Sequence, residues 1–391
     1  MNLHEYQAKE LLSRYGIAAP EGRLASSPEE AEMMARKLPG QRFAVKAQVH
    51  AGGRGEAGGV RIVDGASAVR QVARELIGKK LVTSNTGPEG RIVRKVYVET
   101  AVKPERMLYL AALVDRSAGA VSIIGTREGG GDIEDRVARN PGIIERLLLT
   151  PGNNPSPEEL RAYVGRLGLA GEIGDRAVTL LTGLVEALYQ LDGSLIEINP
   201  LAVMPDGSLL ALDLKMVIDD NALFRHPEFE PLRDEDELDP IELQAQRHEI
   251  NYVKLDGNVG VVVNGAGLAL ATLDLLRDAG GAPANFMDIR TMATSMQIAR
   301  GLDILMADSR VQAILVNIHG GGLTRCDTVA EAIGMAFRRS GRKLPVIFRA
   351  AGNNADFART VLRNCGVPFT DARDMAEAAE RAVAFTRNKA A

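Results

Sequence analysis

The sequence predicts an α/β protein, and three stretches in its second half carry this prediction. The stretches NVGVVVNGAG, VQAILVNIHGGG and LPVIFRAAGNN each combine an apolar run of strand length with a glycine-rich turn. Each is followed by an amphipathic stretch of helical length, such as LALATLDLLRDAG after the first. Strands that alternate with helices in this way form a parallel sheet with helices on both faces. The second half is therefore predicted to contain one parallel sheet.

The first half of the chain has a mixed pattern of helices, strands and hairpins. Helices are predicted at residues 4–14 and at Glu172–Leu191, where apolar residues recur at helical spacing. Buried strands are predicted at Phe43–Val49, Tyr109–Asp115 and Val121–Gly125.

An acidic, proline-punctuated stretch over residues 226–249 separates these two patterns. It contains no apolar run of strand length, which is typical of a connection between domains. The sequence therefore predicts a first domain over residues 1–238 and a second over residues 239–391.

Composition and charge argue against several classes of function. The 391 residues carry a formal net charge of −4 and only 4% aromatic residues, whereas nucleic-acid binding favours a basic excess and aromatic platforms. No apolar run approaches the roughly 18 residues of a membrane span, and the polar N-terminus lacks a secretory signal. Only Cys326 and Cys365 are present, so no disulfide framework is expected. We predict a soluble, cytoplasmic protein with no nucleic-acid or membrane partner.

The stretch VKAQVHAGGRGEAGG, Val45–Gly59, is a candidate phosphate-binding loop. Lys46 lies on the predicted strand, and the glycines that follow leave backbone N–H groups open to an anion. Arg54 adds a second positive charge. The stretch lacks both the P-loop pattern and a dinucleotide-binding fingerprint. A flexible surface loop remains the alternative from these residues alone.

A hairpin is predicted over residues 194–216, with its turn at Pro205–Asp206–Gly207. A three-residue turn there pairs Asn199 with Asp213 and Glu197 with Lys215. Because side chains alternate along a strand, all four lie on one face. Such a cluster of oxygen ligands suits Mg²⁺ that is also held by nucleotide phosphates, although a solvated polar face is the alternative.

Several motifs resemble one family along nearly the whole chain. The segments MNLHEYQAKELL, VKAQVHAGGRG, VYVET, IEINPL, DDNALFR and VNGAGLA resemble the β subunit of succinate–CoA ligase. The resemblance implies an N-terminal ATP-grasp domain followed by a flavodoxin-like CoA-ligase domain with a parallel sheet. It also implies Mg²⁺ as cofactor, with ATP and CoA as co-substrates.

The resemblance assigns roles to individual residues of this sequence. Lys46 and Gly53–Gly55, with Arg54 at the centre, correspond to the nucleotide phosphate site. Glu99, Val102 and Met107 correspond to the adenine and ribose side, and Pro20 resembles the ATP-preferring form. Asn199 and Asp213 correspond to the Mg²⁺ ligands, and Glu197 to the residue that positions a phosphohistidine. The acid substrate would be held by the following residues: Asn264, Gly321, Gly322, Leu323 and Thr324.

The resemblance also implies a partner. In the family, an α subunit carries the phosphohistidine and the CoA site, and none of the five histidines here corresponds to the phosphorylated one. The chain would therefore work in an αβ or α2β2 assembly that converts ATP, a small carboxylic acid and CoA into ADP, phosphate and acyl-CoA. The phosphoryl group would pass through the α-subunit histidine to the acid, and the CoA thiolate would then attack.

The sequence departs from the family pattern at three places. Met107 replaces a glutamate, and a glycine-rich turn has become DIRTMAT, Asp288–Thr294, where Thr291 and Met292 suit a left-handed turn poorly. The turn NIHGGGLTRCD carries His319 for phenylalanine and one additional residue. The last change would reshape the acid pocket.

These departures leave other interpretations open. The acid could be succinate, malate or a sulfonated acid such as sulfoacetate, for which Arg290 and His319 would be reasonable partners. A self-contained ATP-grasp ligase or carboxylase is a further alternative. So is a non-catalytic subunit that binds nucleotide.

Overall fold

The computed structural model describes residues 1–131, 133–150 and 155–387. The chain divides into two compact units, of which the first spans Met1–Glu237 and the second begins at Leu238. Among the described residues, no helix combines the length and the apolar character needed to span a membrane.

The first unit contains six described α-helices and thirteen described strands. Its helices are α1 (Glu5–Ser13), α2 (Pro28–Lys37), α3 (Ala66–Leu76), α4 (Ile133–Arg139), α5 (Pro157–Arg166) and α6 (Gly171–Gln190). Its strands are β1 (Asn2–Leu3), β2 (Gly22–Ala25), β3 (Arg42–Ala47), β4 (Val60–Asp64), β5 (Lys80–Leu81), β6 (Arg91–Ile92), β7 (Val96–Thr100), β8 (Arg106–Asp115), β9 (Ala120–Thr126), β10 (Glu145–Leu149), β11 (Gly193–Val203), β12 (Leu209–Ala211) and β13 (Leu214–Ile218).

Two antiparallel sheets organise the first unit. The larger sheet has the order β1-β13-β11-β8-β9-β10, with β12 paired to β11, and the smaller has the order β2-β7-β3-β4. Helices α1, α5 and α6 pack on the larger sheet around Leu12, Leu184 and Ile196, which are fully buried. Helices α2 and α3 cover the smaller sheet.

The predicted hairpin register is confirmed. Glu197 pairs with Lys215, and the N–H of Asn199 donates to the carbonyl of Asp213 at 3.1 Å. Gly207 has φ of 74°, the left-handed conformation that the turn requires. The turn therefore places the four polar side chains as the sequence indicated.

The second unit contains the predicted parallel sheet. Its strands are β14 (Asn251–Lys254), β15 (Val259–Val263), β16 (Asn285–Asp288), β17 (Ala313–Gly320), β18 (Val346–Gly352) and β19 (Phe369–Asp371). Its helices are α7 (Pro240–Arg247), α8 (Ala266–Asp278), α9 (Ser295–Ala307), α10 (Cys326–Arg339), α11 (Ala355–Asn364) and α12 (Met375–Arg387). Helix α7 lies within the predicted interdomain connection and was not anticipated from the sequence.

The order of this sheet is flavodoxin-like. It runs β14-β16-β15-β17-β18-β19, parallel throughout except for the edge pair β14–β16. Leaving out the edge strand β14, this is the 2-1-3-4-5 order of flavodoxin-like folds. Along β17, Ile314 and Val316 pack towards α9 and α10, whereas Leu315 packs on the other face with α8 and α12. Helices on both faces confirm the prediction.

A close approach inside the first unit gives a test of its packing. A Cβ at Gly183 on α6 would lie 2.0 Å from the carbonyl oxygen of Tyr15, whereas one at Gly165 on α5 would meet nothing within 4 Å. We expect Gly183→Ala to lower the free energy of unfolding by about 1–3 kcal/mol, because the backbone must move apart. The control Gly165→Ala should raise it by up to about 1 kcal/mol. Urea unfolding measures both, and equal effects would contradict the packing described.

Candidate active site

One cavity of about 440 Å³ in the first unit is lined by both sheets. It is lined by most of the residues that the resemblance assigned to nucleotide and metal: Lys46, Gly53, Arg54, Gly55, Glu99, Val102, Glu197, Asn199 and Asp213. Lys215, the hairpin partner of Glu197, lines the same cavity. Residues far apart in sequence thus meet at one place.

The glycine-rich loop follows β3 and is held to it by an arginine. Gly53 has φ of 70°, which favours glycine. The guanidinium of Arg54 is buried and donates to the carbonyl of Ala47 at 2.8 Å, and the N–H of Gly59 donates to the carbonyl of Arg54 at 2.7 Å. These bonds favour the phosphate-loop interpretation over a flexible surface loop.

A buried ion cluster lies beside this loop, and we define it as Glu5, Lys9, Lys46, Arg54, Glu99 and Asp213. The ammonium of Lys46 lies 2.9 Å from Glu5 Oε1 and 2.5 Å from Glu99 Oε1. Arg54 bridges Glu5 Oε2 at 2.8 Å and Asp213 Oδ1 at 2.5 Å. All members except Asp213 are less than 9% exposed.

Mutual pairing decides the ionisation of the ion cluster. Burial alone would raise the pKa of Glu5, but Lys46, Lys9 and Arg54 hold it well below its usual value. Burial likewise would lower the pKa of Lys46, whereas Glu5, Glu99 and Asp213 raise it above its usual value. Glu5 and Lys46 are therefore both ionised at neutral pH.

The hairpin face offers oxygen ligands that fit Mg²⁺. Asn199 Oδ1 accepts the N–H of Gly130 at 2.8 Å, and Asn199 Nδ2 donates to the carbonyl of Gly130 at 3.2 Å. Within the described ranges, no group of three histidine, cysteine or acidic side chains is arranged to hold a metal. Mg²⁺ needs no such group, because it keeps several waters and is bound by one or two protein oxygens plus substrate phosphates. The Asn199 amide and the Asp213 carboxylate meet that requirement.

Met107 and Pro20 differ from the assignments that the resemblance gave. Met107, on β8, is 44% exposed and does not line the cavity; its carbonyl accepts the N–H of Gly129 instead. Glu99 lines the cavity, and its carboxylate is bound by Lys46 and Lys9. Pro20 lines a separate cleft. These differences arise because strand pairing directs the side chains, which sequence similarity does not reveal.

Several site residues were missed by the sequence analysis. Glu5 and Lys9 come from α1, and their spacing of four residues places both on one helix face. Gly130 lies in a second glycine-rich run, and it lines the cavity. Ser84 and Asn85, from another part of the chain, line the cavity as well. The run REGGG was the available signal for the second loop, since consecutive glycines let backbone approach a ligand.

Two histidines lie where the glycine-rich loop begins. The rings of His4 and His50 are 4.2 Å apart, and the backbone N–H of His50 donates to Glu237 at 3.1 Å. Burial, followed by the charge of His4, lowers the pKa of His50 to about 3. His50 is therefore neutral in the folded protein.

The candidate acid site in the second unit is built on the ends of β15 and β17. The side chain of Asn264 accepts the N–H of His319 at 2.8 Å and donates to its carbonyl at 2.9 Å. The additional residue is accommodated in a tight turn in which the N–H of Thr324 donates to the carbonyl of Gly321 at 3.1 Å. Gly322 adopts φ of 55° at the tip. Leu323, also in this turn, is 67% exposed.

The DIRTMAT turn is not strained as the sequence suggested. Thr291 and Met292, both described, have no left-handed backbone, so threonine and methionine are tolerated there. Asp288 instead anchors the turn by accepting the N–H of Gly265 at 2.6 Å. Arg290 and His319 are both exposed at this carboxyl edge of the sheet.

Comparison with known proteins places this geometry in a family. The ATP-grasp domain pattern matches residues 2–203, and the CoA-ligase pattern matches residues 262–383. The chain is 43% identical over 387 residues to succinate–CoA ligase (ADP-forming) subunit beta of Anaeromyxobacter dehalogenans, covering 99% of this chain and 100% of that protein. It is 44% identical over 385 residues to the protein of the same name from Acidithiobacillus ferrooxidans, covering 98% and 99%.

A solved structure shows the same fold over nearly the whole chain. ATP citrate lyase from Methanothrix soehngenii, in complex with citrate and coenzyme A, matches with a TM-score of 0.76 and 17% identity. The match covers 98% of this chain and 99% of that one. Together the fold, the cavity and the matched domains define an acid–thiol ligase with an ATP-grasp domain before a CoA-ligase domain. The chain belongs to the family of succinate–CoA ligase (ADP-forming) beta subunits.

The buried His50 gives a pH-dependent stability. Its folded pKa lies below the unfolded value, so the unfolded chain binds more protons and stability is lost as pH falls below about 6.5. Between pH 7 and pH 5, we expect the free energy of unfolding to fall by about 2 kcal/mol less in His50→Gln than in the wild type. Urea unfolding at the two pH values measures this difference.

His226 supplies a control of opposite sign. Desolvation opposes the shift, but hydrogen bonds to Asp192 and Glu228 raise the pKa of His226, so its contribution is present at acidic pH and lost as pH rises. Between pH 7 and pH 5, the free energy of unfolding should therefore fall more in His226→Gln than in the wild type. A His50→Gln variant with the wild-type pH dependence would contradict the burial argument.

Proposed function

We propose that this chain is the nucleotide-binding and acid-binding β subunit of a two-subunit, ADP-forming acid–CoA ligase. The observation that carries the proposal is the single cavity in which Lys46, Arg54, Asn199 and Asp213 converge. The same arrangement of loop cations and hairpin oxygens is what ATP with Mg²⁺ requires.

The first unit would bind ATP and orient its terminal phosphate. Lys46 and Arg54 would contact phosphate oxygens, together with backbone N–H groups of Gly53 and Gly55. Asn199 and Asp213 would hold Mg²⁺, which would supply positive charge to neutralise the charge that develops on the transferred phosphate. Glu197, on the same hairpin face, would position the histidine that receives the phosphoryl group. The contribution of this chain is positioning and charge neutralisation.

The partner would be an α subunit that supplies the phosphohistidine and the CoA site, in an αβ or α2β2 assembly. The subunit name of the relatives supports this proposal. CoA would then be a substrate of the complex, bound outside this chain.

The acid would bind at the carboxyl edge of the second unit's sheet, near Asn264 and the Gly321–Thr324 turn. Succinate is the default substrate, because the relatives are named for it. The reshaped turn and the exposed Arg290 and His319 favour malate or a sulfonated acid such as sulfoacetate as the alternative, since a cation and donors suit an additional anionic group.

Metal binding at the hairpin is tested by removing the charge of one ligand. Asp213→Asn should raise the Mg²⁺ concentration for half-maximal ADP formation at least about tenfold, because Mg²⁺ prefers carboxylate oxygen. Asp206→Asn, at the exposed tip of the same hairpin, is the matched control. An unchanged Mg²⁺ dependence in Asp213→Asn would place the metal elsewhere.

The acid is identified by ADP release from the co-purified complex with CoA and succinate, malate or sulfoacetate. The default proposal predicts the highest kcat/KM with succinate and at least about a tenfold preference over the other acids, the range one polar contact supplies. A preference for sulfoacetate that is lost in His319→Phe would establish the alternative.

Labelled phosphate separates a catalytic from a non-catalytic subunit. The catalytic β subunit must transfer label from γ-labelled ATP to the co-purified α subunit. A subunit that only binds nucleotide would leave the α subunit unlabelled.

A further inference from the structure

Two lysines in the ion cluster make the same three contacts. The ammonium groups of Lys9 and Lys46 both lie against Glu5 Oε1, at 2.8 and 2.9 Å. Each also binds one oxygen of Glu99 at 2.5 Å, and each donates to the carbonyl of Leu212, at 2.8 and 2.5 Å. The two cations thus share one set of acceptors.

Only one of these lysines is within reach of a ligand. Lys46 lines the nucleotide cavity, whereas Lys9 lies behind it, lines the separate cleft and places its ammonium 5.3 Å from the centre of the Tyr97 ring. Lys9 is 5% exposed. Lys9 therefore contacts Glu5 and Glu99 from outside the nucleotide cavity.

The charges of the ion cluster balance, with three cations and three carboxylates. Phosphate binding would require Lys46 to direct its ammonium away from Glu5 and Glu99, and Arg54 to direct its guanidinium away from Glu5 and Asp213. A buried carboxylate that loses its only cation is strongly destabilised, because the desolvation penalty is no longer offset. Without a further cation, these carboxylates would hold Lys46 and oppose phosphate binding.

We infer that Lys9 is a resident counter-ion that neutralises Glu5 and Glu99 when Lys46 engages nucleotide phosphates. Lys9 is a positioning residue, since it acts through Lys46 and does not touch the nucleotide. Glu5 has the opposite role: it binds Lys46 and Arg54 through its two oxygens and competes with phosphate for them. This inference rests on the proposed nucleotide site.

The two roles predict effects of opposite sign on the affinity for ATP. Lys9→Met leaves two cations against three carboxylates and should raise the Kd for Mg·ATP at least about tenfold. Glu5→Gln leaves three cations against two carboxylates, so its Kd should be no higher than that of the wild type. The double variant Lys9→Met/Glu5→Gln restores the balance and should recover most of the lost affinity.

The experiment is calorimetric titration of the full-length chain, in complex with its partner, with Mg·ATP and with adenosine. Adenosine carries no phosphate, so its Kd should be the same in all variants if the effect is electrostatic. Lys37→Met, an exposed lysine on α2, is the control for the same chemical change. Thermal melting confirms that each variant is folded.

Each outcome decides one question. If the wild type binds no Mg·ATP, the proposed nucleotide site fails and the inference fails with it. If the wild type binds and Lys9→Met binds equally, only the counter-ion role is wrong. Lys9 would be a structural residue if the double variant bound Mg·ATP more weakly than Lys9→Met. The same would follow if Lys9→Met lost as much affinity for adenosine as for Mg·ATP. If Lys9→Met does not fold, an increased Kd for Glu5→Gln contradicts the inference.

Discussion

The pairing of Glu5 with Lys46 and Arg54 joins separate elements of the first unit beside its cavity. One carboxylate from the first turn of α1 holds a cation from β3 and a cation from the glycine-rich loop. Arg54 in turn reaches Asp213, where the chain enters β13. Three elements that are distant in sequence are thereby fixed around one point.

Such an arrangement is costly unless every charge is matched. Removing one partner from a buried ion pair typically costs about 3–5 kcal/mol, far more than an exposed pair contributes. The shifts in pKa of Glu5 and Lys46 towards their charged forms show that pairing outweighs desolvation here. Lys46 and Arg54 are thus already charged beside the cavity before a ligand binds, and a bound phosphate would replace carboxylate oxygens as their partner. That property suits phosphoryl transfer, in which the protein supplies position and charge.

The sequence predicted best those features that local geometry determines. The turn at Pro205–Asp206–Gly207 fixes the register of its hairpin, so the positions of Glu197 and Asn199 followed from counting residues. The flavodoxin-like sheet followed from repeated strand–turn–helix units. Contacts between distant elements were beyond such reasoning. Lys9 reaches Glu99 across 90 positions, and no periodicity of the chain relates the two.

The resemblance to a family related residues to particular strands and turns, but it did not give the direction of their side chains. Met107 lies on β8, which begins three residues before the predicted strand, and it is 44% exposed and does not line the cavity. In the DIRTMAT turn, Thr291 and Met292 have no left-handed backbone, and Asp288 accepts the N–H of Gly265. The expectation of strain was therefore wrong, because it assumed a backbone conformation that this turn does not adopt.

The bond between Asn264 and His319 has a consequence for how this edge can vary. Asn264 uses both ends of its amide on the main chain of residue 319, as a neighbouring strand would. The spacing between the ends of β15 and β17 is thus set without any participation of the imidazole. Residue 319 can change its side chain while the frame around it keeps its dimensions. In the proposed acid site, a new side chain at position 319 would therefore alter the groups offered to the acid without altering the frame.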